Sequence, residues 1–189
     1  MNPVIKNILA RRSVRTFNAE KKIAKKDLNL ILKAGLYAPS GCNAQPWHFT
    51  VIENKAVRAQ INEETKKELL SNKNPLFVRM GKNKNFEVFY NAPAVVIVSF
   101  TEEKASSPYI DIAAASQNML LAAKSLGIAS CWIGVVTFMF LSREGAKYTK
   151  ILNLPEGYKP LYALVFGYPK QKKSVSALAR KSGTVNYLK

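Results

Sequence analysis

The chain has 189 residues, 48% of them hydrophobic and 22% charged, and a formal net charge of +17 from 29 basic against 12 acidic side chains. That length suffices for one sizeable core; with no Pro/Gly/Ser-rich linker the expectation is a single domain over residues 1–189, and the composition excludes a disordered or fibrous chain. Two cysteines, Cys42 and Cys131, and one histidine, His48, exclude a Cys-rich structural zinc site, so two free thiols in a reducing, cytoplasmic compartment are expected.

Asn2-Pro3 supplies a helix cap and a proline at the first helical position, and Val4, Ile5, Ile8 and Leu9 follow along one face, which predicts a helix up to Arg11. The segment lacks the apolar core of a signal peptide. A basic run begins where this helix ends. Arg11, Arg12 and Arg15, with the Ser13 hydroxyl, could surround a phosphate, because guanidinium forks match phosphate oxygens in pairs; a solvated basic helix end is the alternative, at even weight. Lys6, Arg11, Arg12, Arg15, Lys21, Lys22, Lys25 and Lys26 face Glu20 alone at one end of the chain. At the other end stand Lys170, Lys172, Lys173, Arg180, Lys181 and Lys189 with no acid. If the two ends converge they make an anion site; if they stay apart they make only a solvated basic surface.

Leu28, Ile31, Leu32 and Gly35 recur at helical spacing, whereas Trp47, Phe49 and Val51 alternate with His48 and Thr50 as in a strand. The loop between them therefore sits at a fixed helix-to-strand corner. In it Ser40, Asn43 and Gln45 offer side-chain donors and acceptors, Gly41 admits close approach of backbone to a ligand, and Pro39 and Pro46 stiffen both ends. Such a loop suits the edge of a flat polar heterocycle. His48 falls in an apolar strand pattern, where a structural imidazole outweighs a catalytic one.

Asn54 caps a helix expected from Lys55 to about Leu70, with Val57 and Ile61 turned inward. Residues Ser71 to Phe89 read as irregular connection, whose Leu76, Phe77, Phe86 and Phe89 either form a lid over a flat substrate or fill core. Ala94 to Phe100, apolar without alternation, predicts a mid-sheet strand covered on both faces. Ser107-Pro108 opens a long Ala-rich helix with Asp111 near its start, closed by Leu126-Gly127. This apolar stretch carries Asp111, Gln117, Asn118 and Lys124 and is no membrane span. Its small residues extend beyond one buried face, which fits either a partner subunit or complete enclosure in a monomer. A strand follows at Ile128 to Trp132, then the Ile133-Gly134 turn, a helix from about Phe140 to Leu152, the Pro155-Glu156-Gly157 turn and a strand from Pro160 to Phe166. The basic tail beyond Pro169 holds Val175, Leu178, Val185, Tyr187 and Leu188, more apolar than a disordered appendage needs, so it is expected to pack on something.

Neither a Gly-x-x-x-x-Gly-Lys loop nor a Gly-x-Gly-x-x-Gly after a strand occurs, and no hydrolase triad can be assembled around a single histidine. A chain with loops suited to a planar ligand, yet with no obvious nucleophile or metal cluster, borrows its chemistry from a cofactor.

The stretch Ala38-Pro39-Ser40-Gly41-Cys42-Asn43-Ala44-Gln45-Pro46-Trp47-His48-Phe49 resembles the signature of the FMN-dependent nitroreductase family. Three further stretches agree in order: Arg11 to Phe17, Gly127 to Gly134, and Leu154 to Tyr158 leading into Ala163 to Pro169. The resemblance implies an α+β fold, a mixed central sheet flanked by helices, and a homodimer with FMN at each of two interfaces and a C-terminal extension wrapping the partner subunit. It further implies that Arg11, Arg12, Ser13 and Arg15 hold the FMN phosphate and pyrimidine side. Pro39, Ser40, Gly41, Asn43 and Gln45 then come from the other subunit, and Cys131, Trp132, Ile133 and Gly134 lie over the reactive edge of the ring. Arg180 and Lys181 match the family's late phosphate-binding pair, with Lys172-Lys173 as competitors. Gly41 departs from the pattern, standing where many members have a second serine. The implied reaction is ping-pong transfer of hydride from NAD(P)H through flavin N5 to a small-molecule acceptor such as a nitroaromatic or quinone. No side chain is catalytic in it, and Arg15 tunes the flavin. Flavin reductase, dehydrogenase and dehalogenase activities are alternatives on the same fold. A basic nucleic-acid-binding module is a distant one, since no reader motif accompanies the charge.

Overall fold

A computed structural model of the protein describes residues 1–103, 105–171 and 176–188. Seven α-helices and four strands alternate along them: α1 Pro3–Ala10, α2 Lys25–Leu36, β1 Trp47–Ile52, α3 Lys55–Leu70, α4 Pro75–Lys82, β2 Ala94–Phe100, α5 Pro108–Ser125, β3 Ala129–Ile133, α6 Val136–Phe140, α7 Gly145–Ile151 and β4 Lys159–Gly167. Local chemistry explains the starts. The Asn2 side chain accepts from Val4 N–H ahead of Pro3, and Asn54 accepts from Ala56 and Val57 N–H, each meeting donors that the first turn of a helix leaves over. At the far end of α5, Gly127 takes φ +72, so that Ile128 N–H reaches Ala123 O at 2.8 Å and closes the helix.

Two sequence expectations are corrected. Residues 71–89 are not wholly irregular, because Asn74 accepts from Leu76 N–H and Pro75 follows at the first helical position of α4. The helix expected from Phe140 to Leu152 is two shorter ones. The chain turns between them, with Ser142 Oγ accepting from Glu144 N–H at 3.2 Å, and a Cβ at Gly145 would run into the Phe140 carbonyl.

The strand order is β1-β2-β4-β3, and every named pair is antiparallel. A parallel bridge between Ser13 and Ser130 makes the sheet mixed. All seven residues of β2 are buried, as expected of a strand covered on both faces. α5 packs against β1, β2 and β3 and carries α2 on its back, while α3 and α6 touch each other and the strands β1 and β4. Val95, Val96, Ile97 and Val98 have no exposed surface, and side chains of that size each contribute about 1.5–3 kcal/mol on burial. A register shift at Val98/Ser99 sets Ser99 opposite Pro160 and leaves Leu161 as the extra residue. Its carbonyl is taken by Thr137 Oγ1 of α6 at 2.7 Å. One hydrophobic cluster joins the sheet to α2, α3, α5, α6 and α7.

What positions the ligand-binding candidates is the meeting of the chain's ends. Val14 N–H donates to Ser130 O at 3.0 Å, Asn18 N–H to Tyr168 O at 2.9 Å, and Lys170 N–H to Thr16 O at 3.1 Å. The basic segment after α1 is thereby clamped to the free edge of β3 and to the exit of β4.

Candidate functional site

Along this clamp lies a cavity of about 450 Å³, to which Arg11, Arg12, Arg15, Lys124 and Ser130 bring polar side chains. No carboxylate belongs to the described residues that line it. Four cations without a counter-charge favour an anion there. Arg12 is divided between two tasks. Its Nη1 donates to the Leu9 and Arg11 carbonyls at 2.6 and 2.7 Å, closing the end of α1. Its Nε–H is buried with no hydrogen-bond partner among the described residues. A buried guanidinium donor left idle needs an acceptor, and a phosphate oxygen entering the cavity is of the right chemistry. The residues present thus fit the phosphate end of FMN.

Ser13 faces inward. It bridges to Ser130 through backbone, its hydroxyl is one of the groups that lower the Cys131 thiol pKa, and the thiol itself points to the Trp132 carbonyl at 3.6 Å, so within one chain Ser13 braces β3 and does not line the cavity. Cys131 is 2% exposed. Burial pushes its thiol up, while Arg15, the Ser13 hydroxyl and Arg11 pull the other way. The net rise keeps it protonated and unreactive at neutral pH. Arg15 also acts on the Tyr90 hydroxyl. Burial raises that phenol, the neighbouring Cys131 adds to the rise, and Arg15 opposes it. Tyr90 and Asn91 hold φ of 53 and 58, a left-handed pair that turns the chain into β2 with the Tyr90 ring edge-on to Phe86 at 6.2 Å. Lys124 and Tyr90 are the residues that sequence reasoning missed. Lys124 reads in the sequence only as the basic last turn of α5, and the left-handed turn at Tyr90 has no glycine to announce it.

The other candidates lie elsewhere in the single chain. Pro39, Ser40, Gly41, Asn43 and Gln45 stand on the loop between α2 and β1, part of which forms a 3₁₀ turn at Gly41–Asn43, and none lines the cavity. Cys42, Asn43 and Gln45 adopt φ of 51, 55 and 48. Trp132 stacks on Tyr162 with centroids 4.3 Å apart and keeps its outer face open. Ile133 is buried, and Gly134 has empty space where a Cβ would be, so nothing of the same chain bars a ligand there. Arg180 turns to the Leu178 carbonyl at 2.8 Å and is exposed, as is Lys181. Val175 and Lys172-Lys173 lie outside the described residues. Leu178, Val185, Tyr187 and Leu188 are 68 to 101% exposed, so the described tail does not pack on its own chain.

His48 is half-buried, its ring 5.5 Å from that of Tyr158, and burial lowers its pKa. Cys42 and Cys131 are both free. No helix of the described residues is long and apolar enough to cross a membrane.

The same architecture is found in solved structures. A nitroreductase with bound FMN from Bacteroides fragilis matches all of this chain over all of its own length, with a TM-score of 0.89 and 36% identity. A protein of Archaeoglobus fulgidus with the provisional name NADH dehydrogenase/NAD(P)H nitroreductase is 33% identical over 92% of this chain and 89% of its own. An FMN reductase (NADPH) of Bacillus subtilis is 28% identical over 89% of this chain and 67% of its own length. The Nitroreductase family pattern spans residues 8–168, from the last turns of α1 to the exit of β4. It takes in every part of the clamped cavity up to Tyr168, and on that match the chain belongs to the nitroreductase family.

Proposed function

We propose that the chain is a single FMN-binding domain, working as a homodimer, that passes hydride from NAD(P)H to small acceptors such as nitroaromatics and quinones by a ping-pong route. The observation that carries this is the acid-free cavity at the meeting of the chain's ends, with the buried Arg12 Nε–H left for an acceptor from outside the protein. The redox chemistry is that of FMN when bound, with hydride in from NAD(P)H and out to the acceptor.

The chain's own residues bind and orient. Arg11 and Arg12 hold the phosphate through charge-assisted bonds. Arg15, steadied by Tyr90, places positive charge at the pyrimidine edge, where negative charge collects on reduction. Lys124 adds to the field of the cavity. Ser40, Gly41, Asn43 and Gln45 of one subunit grip the ring held by the other. The open space at Gly134 and the backbone of Cys131, Trp132 and Ile133 border the reactive edge. No protein acid or base is assigned, in keeping with the neutral, buried Cys131 thiol and the half-buried His48. The exposed apolar side chains of the tail, Leu178, Val185, Tyr187 and Leu188, and those of α1, Val4, Ile5, Ile8 and Leu9, supply surface for the second subunit.

The test is direct. Purified protein should be yellow, release FMN on denaturation and show parallel double-reciprocal plots for NAD(P)H and a quinone. A colourless protein that takes up no FMN sinks the proposal. The Bacillus subtilis relative favours one second reading, free FMN as the acceptor; a flavin that exchanges during turnover, with no steady-state rate on quinones, selects it.

A further inference from the structure

Among the described residues, one side chain hydrogen-bonds the turn from Ser40 to Gln45 to the body of the protein. From Ser40 to Gln45 its other bonds are internal: Asn43 N–H to Ser40 O at 3.1 Å, Ala44 N–H to Gly41 O at 3.0 Å, and Gln45 N–H to Ser40 Oγ at 3.0 Å. The sheet takes over only at Pro46, whose carbonyl accepts from Thr101 N–H at 3.0 Å. Among the described residues, the one hydrogen bond outward runs from Gly41 N–H to Asp111 Oδ1 at 3.3 Å. Internal bonds give a turn its shape but leave its placement free. Yet this turn holds Cys42, Asn43 and Gln45 in the left-handed region, which non-glycine residues occupy only where their surroundings enforce it.

Asp111 is an unusual residue for a helix start. It lies in the first turns of α5, is 6% exposed, and its Oδ2 is buried with no hydrogen-bond partner among the described residues. A carboxylate at the surface of the first turn would stabilise the helix dipole equally well and stay hydrated. What burial adds is a carboxylate oxygen held in place, partly screened from water, to accept from Gly41 N–H. Gly41 is shaped to receive it, because a Cβ there would lie 3.1 Å from Ser106 Oγ at the entry to α5.

We propose that Asp111 is a positioning residue: its buried carboxylate pins Gly41 N–H and so fixes where Ser40, Asn43 and Gln45 present their polar groups to the ligand. The ligand part of this inference rests on the FMN reading, whereas the anchoring of the loop does not.

The experiment uses the full chain with Asp111→Ala, Asp111→Asn and, as a control on the same helix, Ser116→Ala, whose buried hydroxyl bonds Tyr162 OH at 2.9 Å and takes no part in the loop. Two quantities are read: amide hydrogen exchange at residues 41–45 in the FMN-free protein, and the dissociation constant of FMN by flavin fluorescence. Asp111→Ala should speed exchange at 41–45 by about tenfold or more and weaken FMN by about tenfold. Asp111→Asn keeps an oxygen for Gly41 N–H but not its charge, and should fall between. Ser116→Ala should lower the melting temperature and move neither.

Unchanged exchange in Asp111→Ala overturns the anchor. Faster exchange with FMN affinity unmoved overturns the positioning role, as does an equal loss of affinity in Ser116→Ala. Should Asp111→Ala fail to fold, Asp111→Asn decides between the same outcomes. Wild-type protein that binds no FMN overturns the flavoprotein reading instead, and the exchange data still decide the anchor.

Discussion

The two regions of the molecule suited to a ligand are built in opposite ways. The cavity beside α1 is finished within one chain: backbone bonds from residues 14 to 18 clamp its walls, and Arg11, Arg12, Arg15 and Lys124 supply its charge. The loop from Ser40 to Gln45 has polar groups to offer but borders no part of that cavity, and among the described residues one hydrogen bond, to Asp111, leads outward from it. An anion needs only a few donors and a positive field, and a meeting of chain ends can give it both. A planar ring needs surfaces on two sides. On the proposed dimer reading, the second side is supplied by the other subunit.

Breaking the second side should have the largest effect. Truncation before Ser176 removes Leu178, Val185, Tyr187 and Leu188, which are largely exposed on their own chain. Thermal melting of the separated subunit should scarcely change, whereas dimer and retained FMN should both be lost. Sedimentation with absorbance read at the flavin band checks this, and a truncated protein that stays dimeric and yellow would show that the loop alone completes the site.

The first side should break by a smaller, measurable step. Arg11 lines the cavity and takes part in no described salt bridge. Arg11→Gln therefore removes one charge-assisted contact to phosphate, about 1.5–3 kcal/mol, and should weaken FMN binding by roughly one to two orders of magnitude. The spectrum and potential of the flavin that does bind should be normal.

Sequence alone made the cations legible but not the cavity. The Arg11 to Arg15 run is conspicuous because α1 has to end there, and the Asn2-Pro3 and Asn54 caps mark their helices by local chemistry alone. The same signal stands at Asn74-Pro75, yet the lysines, asparagines and glycine around it hide the periodicity of α4. The break between α6 and α7 depends on how Gly145 meets the Phe140 carbonyl, a contact that exists only once the chain has turned. Lys124 joins the cavity because packing of α5 on the sheet selects the face it projects from, and Asp111 reads as an ordinary N-terminal charge until its burial is seen. Residues whose role follows from chain-local chemistry were found; those whose role follows from which surface faces which were not.

A third measurement sharpens the comparison inside the cavity itself. Arg15 lies beside Tyr90 and Cys131, whereas Arg11 stands at the end of α1. If Arg15 serves the pyrimidine edge, Arg15→Gln destabilises reduced FMN more than oxidised FMN, and the midpoint potential falls by about 30 mV for each tenfold of preference lost in a two-electron couple. Tyr90→Phe should lower it in the same direction by less, since it removes a polar neighbour of Arg15 and keeps the charge. An equal or larger fall in Arg11→Gln would reverse the two roles.

The smallest effect is expected at the thiols, one buried in β3 behind the cavity wall and one on the loop. Replacing Cys42 and Cys131 together by serine should leave the rate of flavin reduction by NAD(P)H nearly unchanged; a lost reductive half-reaction with FMN still bound would place the chemistry on sulfur. The pair should differ in one respect. Burial raises the Cys131 thiol above its ordinary 9.0, so above that pH the unfolded chain gives up this proton before the folded one does. Folding stability then falls as pH rises, with a slope of at most one proton, about 1.4 kcal/mol per pH unit. Tyr90, Tyr148 and Tyr162 are also raised, but from 10.0, and their contribution begins later. Between pH 9 and 10 the melting temperature of wild-type protein should therefore drop more steeply than that of Cys131→Ser, while Cys42→Ser, altered at an exposed thiol, should follow the wild type. Parallel curves for all three would mean that the thiol titrates as freely in the folded protein as in the unfolded chain.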